Sequence, residues 1–452
     1  MSTRVEVTDA EVSAGQAAAH YVNGLIRGPA GPTEPRQPSE QRDRGCKRIE
    51  RMRRFLERLA SPQDGLPVVL VAGTSGKGSV AAKIAAGLKQ AGYRTGLHVT
   101  PYLQTPLEKF WLDGRLARPA ELAELVAWIR PAVEDAGRAD SEQSPTYGMV
   151  WVALTLEYFR RAHVDALVLE VGAGGRFDLT NVVTPMLSVI TSVGLDHEKS
   201  LGPSLADIAW HKAGVLRPDV PVVIGHLPDP AYLIVVDEAR RVGSPITSAG
   251  TSLTDFRCVN TRIARAALNK LAERGHSRVT GSAYDTARNV ALPARYERMP
   301  TDTRIEVILD GAHNPDKAAA LAAVARQERP TKPLVLVIGT VRYRPPDGVL
   351  GPLLPIAHAW IATEPQVMGK PPTPAAEAAI VGGNLGLPPA AVEPNPGKAM
   401  DMALAICPPG GRVLVAGSIY LAGNLRSRWY PTVDVERQRT MWPLRHTSDE
   451  YV

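Results

Sequence analysis

Val68-Val-Leu-Val-Ala-Gly-Thr-Ser-Gly-Lys-Gly-Ser79 runs a short, wholly apolar, β-branched stretch straight into glycines, a lysine and a hydroxyl. The apolar run predicts a strand, and the pattern over 80–91 predicts a helix behind it. Strand, glycine turn and helix in that order make a phosphate loop. Glycines let backbone N–H groups turn inward onto an anion, and the helix N-terminus adds its positive end. Lys77 supplies a mobile cation for the terminal phosphates, and Ser79 an oxygen for Mg²⁺. The pattern GxxxxGK[ST] is met imperfectly: Val71 takes the first glycine position and Gly78 separates lysine from serine.

Outward from this loop, short apolar runs recur at 166–170, 187–191 and 222–225, alternating with helical stretches. A second series follows at 304–309, 334–338, 359–362 and 412–416. Such alternation indicates parallel sheets buried on both faces. An Ala-rich helix (261–274) and a polar stretch (277–288) lie between the two series. The expected fold is therefore α/β. Residues 1–290 form an N-terminal phosphate-loop (P-loop) domain with a mostly parallel sheet, and 291–452 a smaller C-terminal Rossmann-like domain. Residues 1–41 read as a peripheral segment, with a short helix at 8–26 and a breaker-rich loop at 28–33. A basic amphipathic helix is expected at 42–58, and 427–452 as a surface tail.

Composition narrows the function. The 452 residues include 44% hydrophobic and 22% charged side chains, which fits a globular protein of two or three domains and excludes a disordered chain. The apolar runs are too short to cross a membrane, and the acidic start is not a secretory signal. Three cysteines without a CxxC pair argue against disulfides and cysteine-zinc sites, so a cytoplasmic setting is expected. The net charge of +6 is accounted for by Arg-rich composition and the solvated face of the 42–58 helix, which also carries Glu50 and Glu57. With only 5% aromatic residues and no recognisable binding module, a nucleic-acid-binding role is the weakest alternative.

Two further strand ends carry chemistry. Glu170 closes the second run and is followed by Val-Gly-Ala-Gly-Gly-Arg-Phe-Asp178; the third leads to Gly194-Leu-Asp-His197. An acid at the carboxyl end of a parallel strand points into the crevice where such folds bind ligands. Lys77, Ser79, Glu170 and Asp196/His197 thus arrive at one sheet edge. Mg²⁺ prefers oxygen ligands and phosphate oxygens, which suits Glu170 better than His197.

Gly73-Thr-Ser-Gly-Lys-Gly-Ser79, Glu170-Val-Gly-Ala-Gly-Gly-Arg-Phe-Asp178, Thr191-Ser-Val-Gly-Leu-Asp-His197 and Lys212-Ala-Gly-Val-Leu216 resemble, in order and spacing, the motifs of the folylpolyglutamate synthase branch of the Mur ligase family. Leu309-Asp-Gly-Ala-His-Asn-Pro315 and Gly417-Ser-Ile-Tyr-Leu-Ala-Gly423 are similar to its C-terminal signatures. The resemblance implies an ATP- and Mg²⁺-dependent acid–amino-acid ligase that works through an acyl phosphate and releases ADP. It implies that Gly73, Thr74, Ser75, Gly76, Lys77, Gly78 and Ser79 hold the phosphates, and that Ser79, Thr100, Glu170, His197 and Lys212 serve the metal. Lys212 matches a lysine carbamylated in relatives, and a carbamate would turn a repelling ammonium into an anionic ligand. Asn260 and Arg295 match ATP contacts, and Asp310 and His313 match ribose and adenine contacts from the second domain. Lys77, Glu170, His197 and Lys212 are the implied catalytic set.

The implied partners are a small-molecule carboxylate and an amino acid, with folate and L-glutamate favoured. A monomer without nucleic acid or membrane is expected. Three departures bear on the acid. Tyr102 in Val99-Thr-Pro-Tyr-Leu103 replaces the family's histidine, the 225–260 segment is short, and the 339–347 loop lacks an Asp-Lys-Asp-type sequence. They leave open a related ligase for a non-folate carboxylate in specialised metabolism. A P-loop phosphotransferase or regulatory NTPase is the alternative from another class. Cys258 is expected to be a small packed residue rather than a nucleophile.

Overall fold

The computed structural model describes residues 6–26, 38–139, 144–250, 255–301, 303–328 and 332–444. The loop expected at 28–33 and the last residues of the chain, 445–452, lie outside them. The first sheet comprises β1 (Val68–Ala72), β2 (Thr95–His98), β3 (Trp111–Leu112), β4 (Arg115–Leu116), β5 (Ala166–Glu170), β6 (Pro185–Ile190), β7 (Val222–Ile224) and β8 (Ile246–Ser248), in the order β4-β3-β2-β5-β1-β6-β7-β8. It is parallel from β2 through β8. The antiparallel edge is a hairpin turned by Asp113-Gly114, both at positive φ, a two-residue turn that suits strand twist.

The second sheet holds β9 (Glu297–Met299), β10 (Glu306–Leu309), β11 (Leu334–Ile338), β12 (Ala359–Ala362), β13 (Ala391–Val392) and β14 (Arg412–Ala416), in the order β13-β12-β11-β14-β10-β9. Only β9 runs antiparallel. Its continuous apolar runs follow from burial of both faces. Val335 and Val337 join the core shared with the first sheet, while Leu334, Leu336 and Ile338 pack with Leu321, Val349 and Leu350 on the other side. We propose the domain boundary near residue 290, between the last strand of one sheet and the first of the other.

Several predicted runs coincide with strands. The phosphate-loop helix begins at Lys77, three residues before the apolar pattern becomes visible, because Gly76 in a left-handed conformation starts it directly from the loop. The polar 277–288 stretch proves largely helical, Gly281–Asn289, with Ala283 and Ala287 buried. Its end is held by Lys83 of the phosphate-loop helix, which donates to the carbonyls of Ala287, Arg288 and Val290 at 2.8–3.1 Å. No helix of the described residues is long and apolar enough to cross a membrane.

The expected surface tail is a correction. From 427 to 444 the chain folds back on the first domain; it includes the helix Thr432–Gln438, and Val435 and Met441 are fully buried. Thr105 donates to Glu436 at 2.7 Å, and the Leu116 N–H to the Arg439 carbonyl at 3.0 Å. The N-terminal helix Asp9–Asn23 is also docked: Val22 is fully buried, and a Cβ on Gly15 would lie 2.6 Å from Pro119. Cys258 is exposed rather than packed, because it falls on the outer side of the helix Phe256–Glu273.

Candidate active site

In-register pairing of Val71 with Glu170 and of Ala72 with Ile190 aligns the carboxyl ends of β5, β1 and β6. The phosphate loop rises from the middle strand and is fastened to the loop after β6. Thr74 N–H donates to Ser192 O and Ser75 N–H to Ser192 Oγ, both at 2.9 Å, and Thr191 Oγ1 donates to Ser75 O at 2.6 Å. Glycine is required at two places. At Gly73 (φ +149°) a Cβ would fall 1.9 Å from Thr191 Oγ1, and at Gly76 (φ +81°) 2.3 Å from Asn260 Oδ1. Gly76 caps the helix without a side-chain hydrogen bond, so the N–H groups of its first turn point to the cleft without an intrahelical partner. Among the described residues, Ser75 Oγ is buried without a hydrogen-bond partner, an additional polar group for an anion in this cradle.

Glu170 lies against this turn: a Cβ on Gly78 would be 3.1 Å from Glu170 Oε2. Oε2 accepts the Thr100 N–H at 2.8 Å, which brings the 99–109 loop to the same spot. Burial pushes the Glu170 carboxyl above its usual range, against the pull of Lys77. Asp196 accepts from Arg344 at 2.9 Å and from Asn314 at 3.0 Å. Although burial opposes it, these partners, led by Arg344, hold its carboxyl down to about 2. His197 Nε2 is 3.3 Å from Arg344. Lys212 is buried, and its ammonium is strongly disfavoured, first by burial and then by Lys77 and Lys317.

The opposite wall comes from the second domain. Asp310 accepts the N–H groups of Tyr296 and Ala312, each at 2.7 Å. His313 Nδ1 lies 2.7 Å from Gly311 O, and its Nε2 2.9 Å from Lys317 Nζ. Burial and neighbouring cations hold Lys317 down to about 7. One cleft of about 550 Å³ is lined by Gly76, Lys77, Glu170, Arg295, Asp310 and His313, among others. Thr74, Ser75, Gly78, Ser79, Thr100, His197 and Asn260 also line it. Gly73 sits beneath the loop against Thr191, and Lys212 is buried within electrostatic reach of Lys77 and Asp196; neither is among the residues lining the cleft.

Sequence reasoning missed Lys317, Arg344 and Lys370, which also line this cleft. Arg344 was within reach, since it lies in the 339–347 loop already marked as unusual. It carries that departure to Asp196 and His197, in the loop after β6 that also fastens the phosphate loop. Among the described residues no group of three or more His, Cys, Asp or Glu side chains could hold a metal alone. Glu170 beside the Ser79 turn suits Mg²⁺, which uses one or two protein ligands together with phosphate oxygens.

The glycine-rich turn after Glu170 has its own anchor. Arg176 pairs with Glu238 and lies 4.1 Å above the Trp210 ring. Arg241, then Arg176, hold Glu238 at about 2 instead of its ordinary 4.5. Its contribution to stability is therefore complete above about pH 4.5 and lost as pH falls toward 2. Glu238→Gln is expected to flatten this acid limb and to cost about 1 kcal/mol at neutral pH after solvent screening. Urea unfolding between pH 2.5 and 7 reads the difference, and parallel curves for both proteins would refute it.

Residues 294–419 match the family described as Mur ligase, glutamate ligase domain. The chain is 32% identical over 431 residues to a probable bifunctional folylpolyglutamate synthase/dihydropteroate synthase of Haloferax volcanii, covering 88% of this chain but only 50% of that protein. It is 30% identical to the dihydrofolate synthase/folylpolyglutamate synthase of Bacillus subtilis, covering 69% of this chain and 79% of that protein. A solved structure of Mycobacterium tuberculosis folylpolyglutamate synthase complexed with ADP superposes with a TM-score of 0.81 at 25% identity, over 93% of this chain and 99% of that one.

Proposed function

The chain belongs to the folylpolyglutamate synthase branch of the Mur ligase family, and on that premise we propose that it joins an amino acid to a carboxylic acid, L-glutamate to a folate, with ATP converted to ADP. The observation that carries this reading is the single cleft shared by the phosphate loop, Glu170 and the Arg295/Asp310/His313 wall. A substrate carboxylate oxygen attacks the γ-phosphorus, the bond to ADP breaks, and an acyl phosphate forms. The amine then attacks the acyl carbon, giving a tetrahedral intermediate that expels phosphate; the amine proton leaves with solvent. Lys77 and the N–H groups of the helix it begins neutralise charge developing on the transferred phosphoryl group. Closing the two domains on ATP keeps water from the acyl phosphate.

Ser79, Thr100, Glu170 and His197 would hold Mg²⁺, which supplies further charge neutralisation on the phosphates when bound. Asn260 and Arg295 hold ATP, with His313 presented by the Asp310 turn for ribose and adenine. Burial, then Lys77, shift Lys212 toward its free amine, the form that adds CO₂ and releases a proton to become a carbamate. Omitting bicarbonate is expected to lower turnover several-fold and adding it to restore the rate; a ¹³C carbamate signal absent from the active enzyme would overturn this. The reading keeps the protein a cytoplasmic monomer acting on small molecules, without nucleic acid or membrane.

The decisive assay follows ADP release with ATP, glutamate and a panel of folates and other carboxylates. Amine-dependent ADP release with an amide product is expected. Turnover confined to non-folate acids would favour the specialised ligase, a possibility kept by Tyr102 and by the Lys370–Tyr420 contact beside the cleft. A phosphorylated product without an amide would make the protein a phosphotransferase, and ADP release with neither product a regulatory NTPase.

A further inference from the structure

Arg295 sits in a constrained turn. Its neighbours Ala294 and Tyr296 both have positive φ, +53° and +54°, a region unfavourable for residues that carry a Cβ. Two carboxylates hold the turn: Glu297 Oε2 accepts the Ala294 N–H at 2.8 Å and Asp310 Oδ2 the Tyr296 N–H at 2.7 Å. Asp310 lines the cleft, whereas Glu297 faces away from it toward Arg426. The Arg426 side chain is fully buried and pairs with Glu297 at two points, Nε to Oε2 and Nη2 to Oε1, both at 2.9 Å. Trp442 Nε1 donates to the same carboxylate at 3.0 Å.

The remaining donors of Arg426 lead elsewhere. Nη1 donates to Gln104 Oε1 at 2.6 Å and Nη2 to the Met441 carbonyl at 2.5 Å. Gln104 belongs to the 99–109 loop of the other domain, whose Thr100 meets Glu170. Its Nε2 donates to the Tyr430 carbonyl at 2.8 Å, and its N–H to Glu108 at 2.7 Å. A close approach of backbones at Gly423, where a Cβ would meet the Leu103 carbonyl at 2.2 Å, holds the helix Ile419–Arg426 against this loop. A buried guanidinium is costly unless every partner is in place. Here the partners join the nucleotide-side turn, the acid-side loop and the C-terminal segment.

We propose that Glu297 and Arg426 are positioning residues that set the Arg295 turn for ATP and tie it to the 99–109 loop across the domain interface. This rests on Arg295 being an ATP contact; Arg295 lines the cleft, and neither positioning residue does. Glu297→Gln keeps the side-chain shape and avoids truncating the deeply buried Arg426, so it carries the test. Calorimetric binding of a methylene-bridged, non-hydrolysable ATP analogue is measured for wild type, Glu297→Gln, Arg295→Ala and the double variant, with unfolding by urea alongside.

Each single change is expected to weaken binding about tenfold, while Glu297→Gln adds less than about twofold once Arg295 is gone. Tenfold losses that multiply in the double variant would mean that Glu297 does not act through Arg295, and would overturn the inference. So would unchanged binding by Glu297→Gln. Gln104→Ala leaves the Glu297–Arg426 pair intact and is expected to weaken binding about threefold, again only with Arg295 present. Unchanged binding there would remove the tie to the loop. An Arg295→Ala protein that binds like wild type would overturn the ATP reading of Arg295 itself, and the inference with it.

Discussion

Lys77→Ala is expected to lower ADP formation by about a thousandfold or more, with the nucleotide-free protein still folded. A unit charge about 4 Å from a phosphate oxygen, at an effective dielectric constant of about 20, is worth roughly 4 kcal/mol, which corresponds to about three orders of magnitude in rate. The structural cost is small by comparison. Lys77 Nζ makes one hydrogen bond within the loop, to Gly73 O at 3.1 Å, worth about 1 kcal/mol. Single-turnover measurement of acyl-phosphate formation at saturating ATP, with urea unfolding alongside, separates the loss of charge from any loss of fold. Turnover near the wild-type rate would take the phosphate loop out of the reaction.

Gly76→Ala is expected to reduce ATP affinity by a hundredfold or more and to destabilise the nucleotide-free protein. Left-handed backbone at Gly76 costs a residue with a Cβ about 1–2 kcal/mol. The new methyl would also stand 2.3 Å from Asn260 Oδ1, so either Asn260 or the loop must move. Pairing the change with Asn260→Ala separates the causes. Removing the amide relieves the clash and is expected to recover part of the thermal stability, but not the affinity, because both loop geometry and the proposed ATP contact are then lost. Full ATP affinity in Gly76→Ala alone would show that the turn is not a phosphate cradle.

Much of the site was legible because its residues stand at the ends of strands whose apolar runs are visible locally. Gly73–Ser79 and Asp196–His197 follow β1 and β6, Glu170 ends β5, and parallel pairing brings the carboxyl ends of these strands together. What stayed hidden lies on partners distant in the chain. Arg344 and Asp196 are 148 residues apart, and no periodicity links a loop arginine to a loop aspartate. Arg426 closes a helix that reads as ordinary, and only its position beneath Glu297 and Gln104 explains a buried charge there. The C-terminal segment was misjudged for a related reason: short and weakly periodic, it gains its order from the surface on which it lands.

Apolar runs long enough for one strand, interrupted by glycines where a backbone must approach an anion, determined two α/β layers and a phosphate loop by local sterics and burial alone. Tertiary structure decided which charges face one another. The settling of Arg344 on Asp196 and of Arg426 between the two domains depends on pairing over long chain separations. Buried charges need partners, and a linear pattern does not record which distant side chain will supply one.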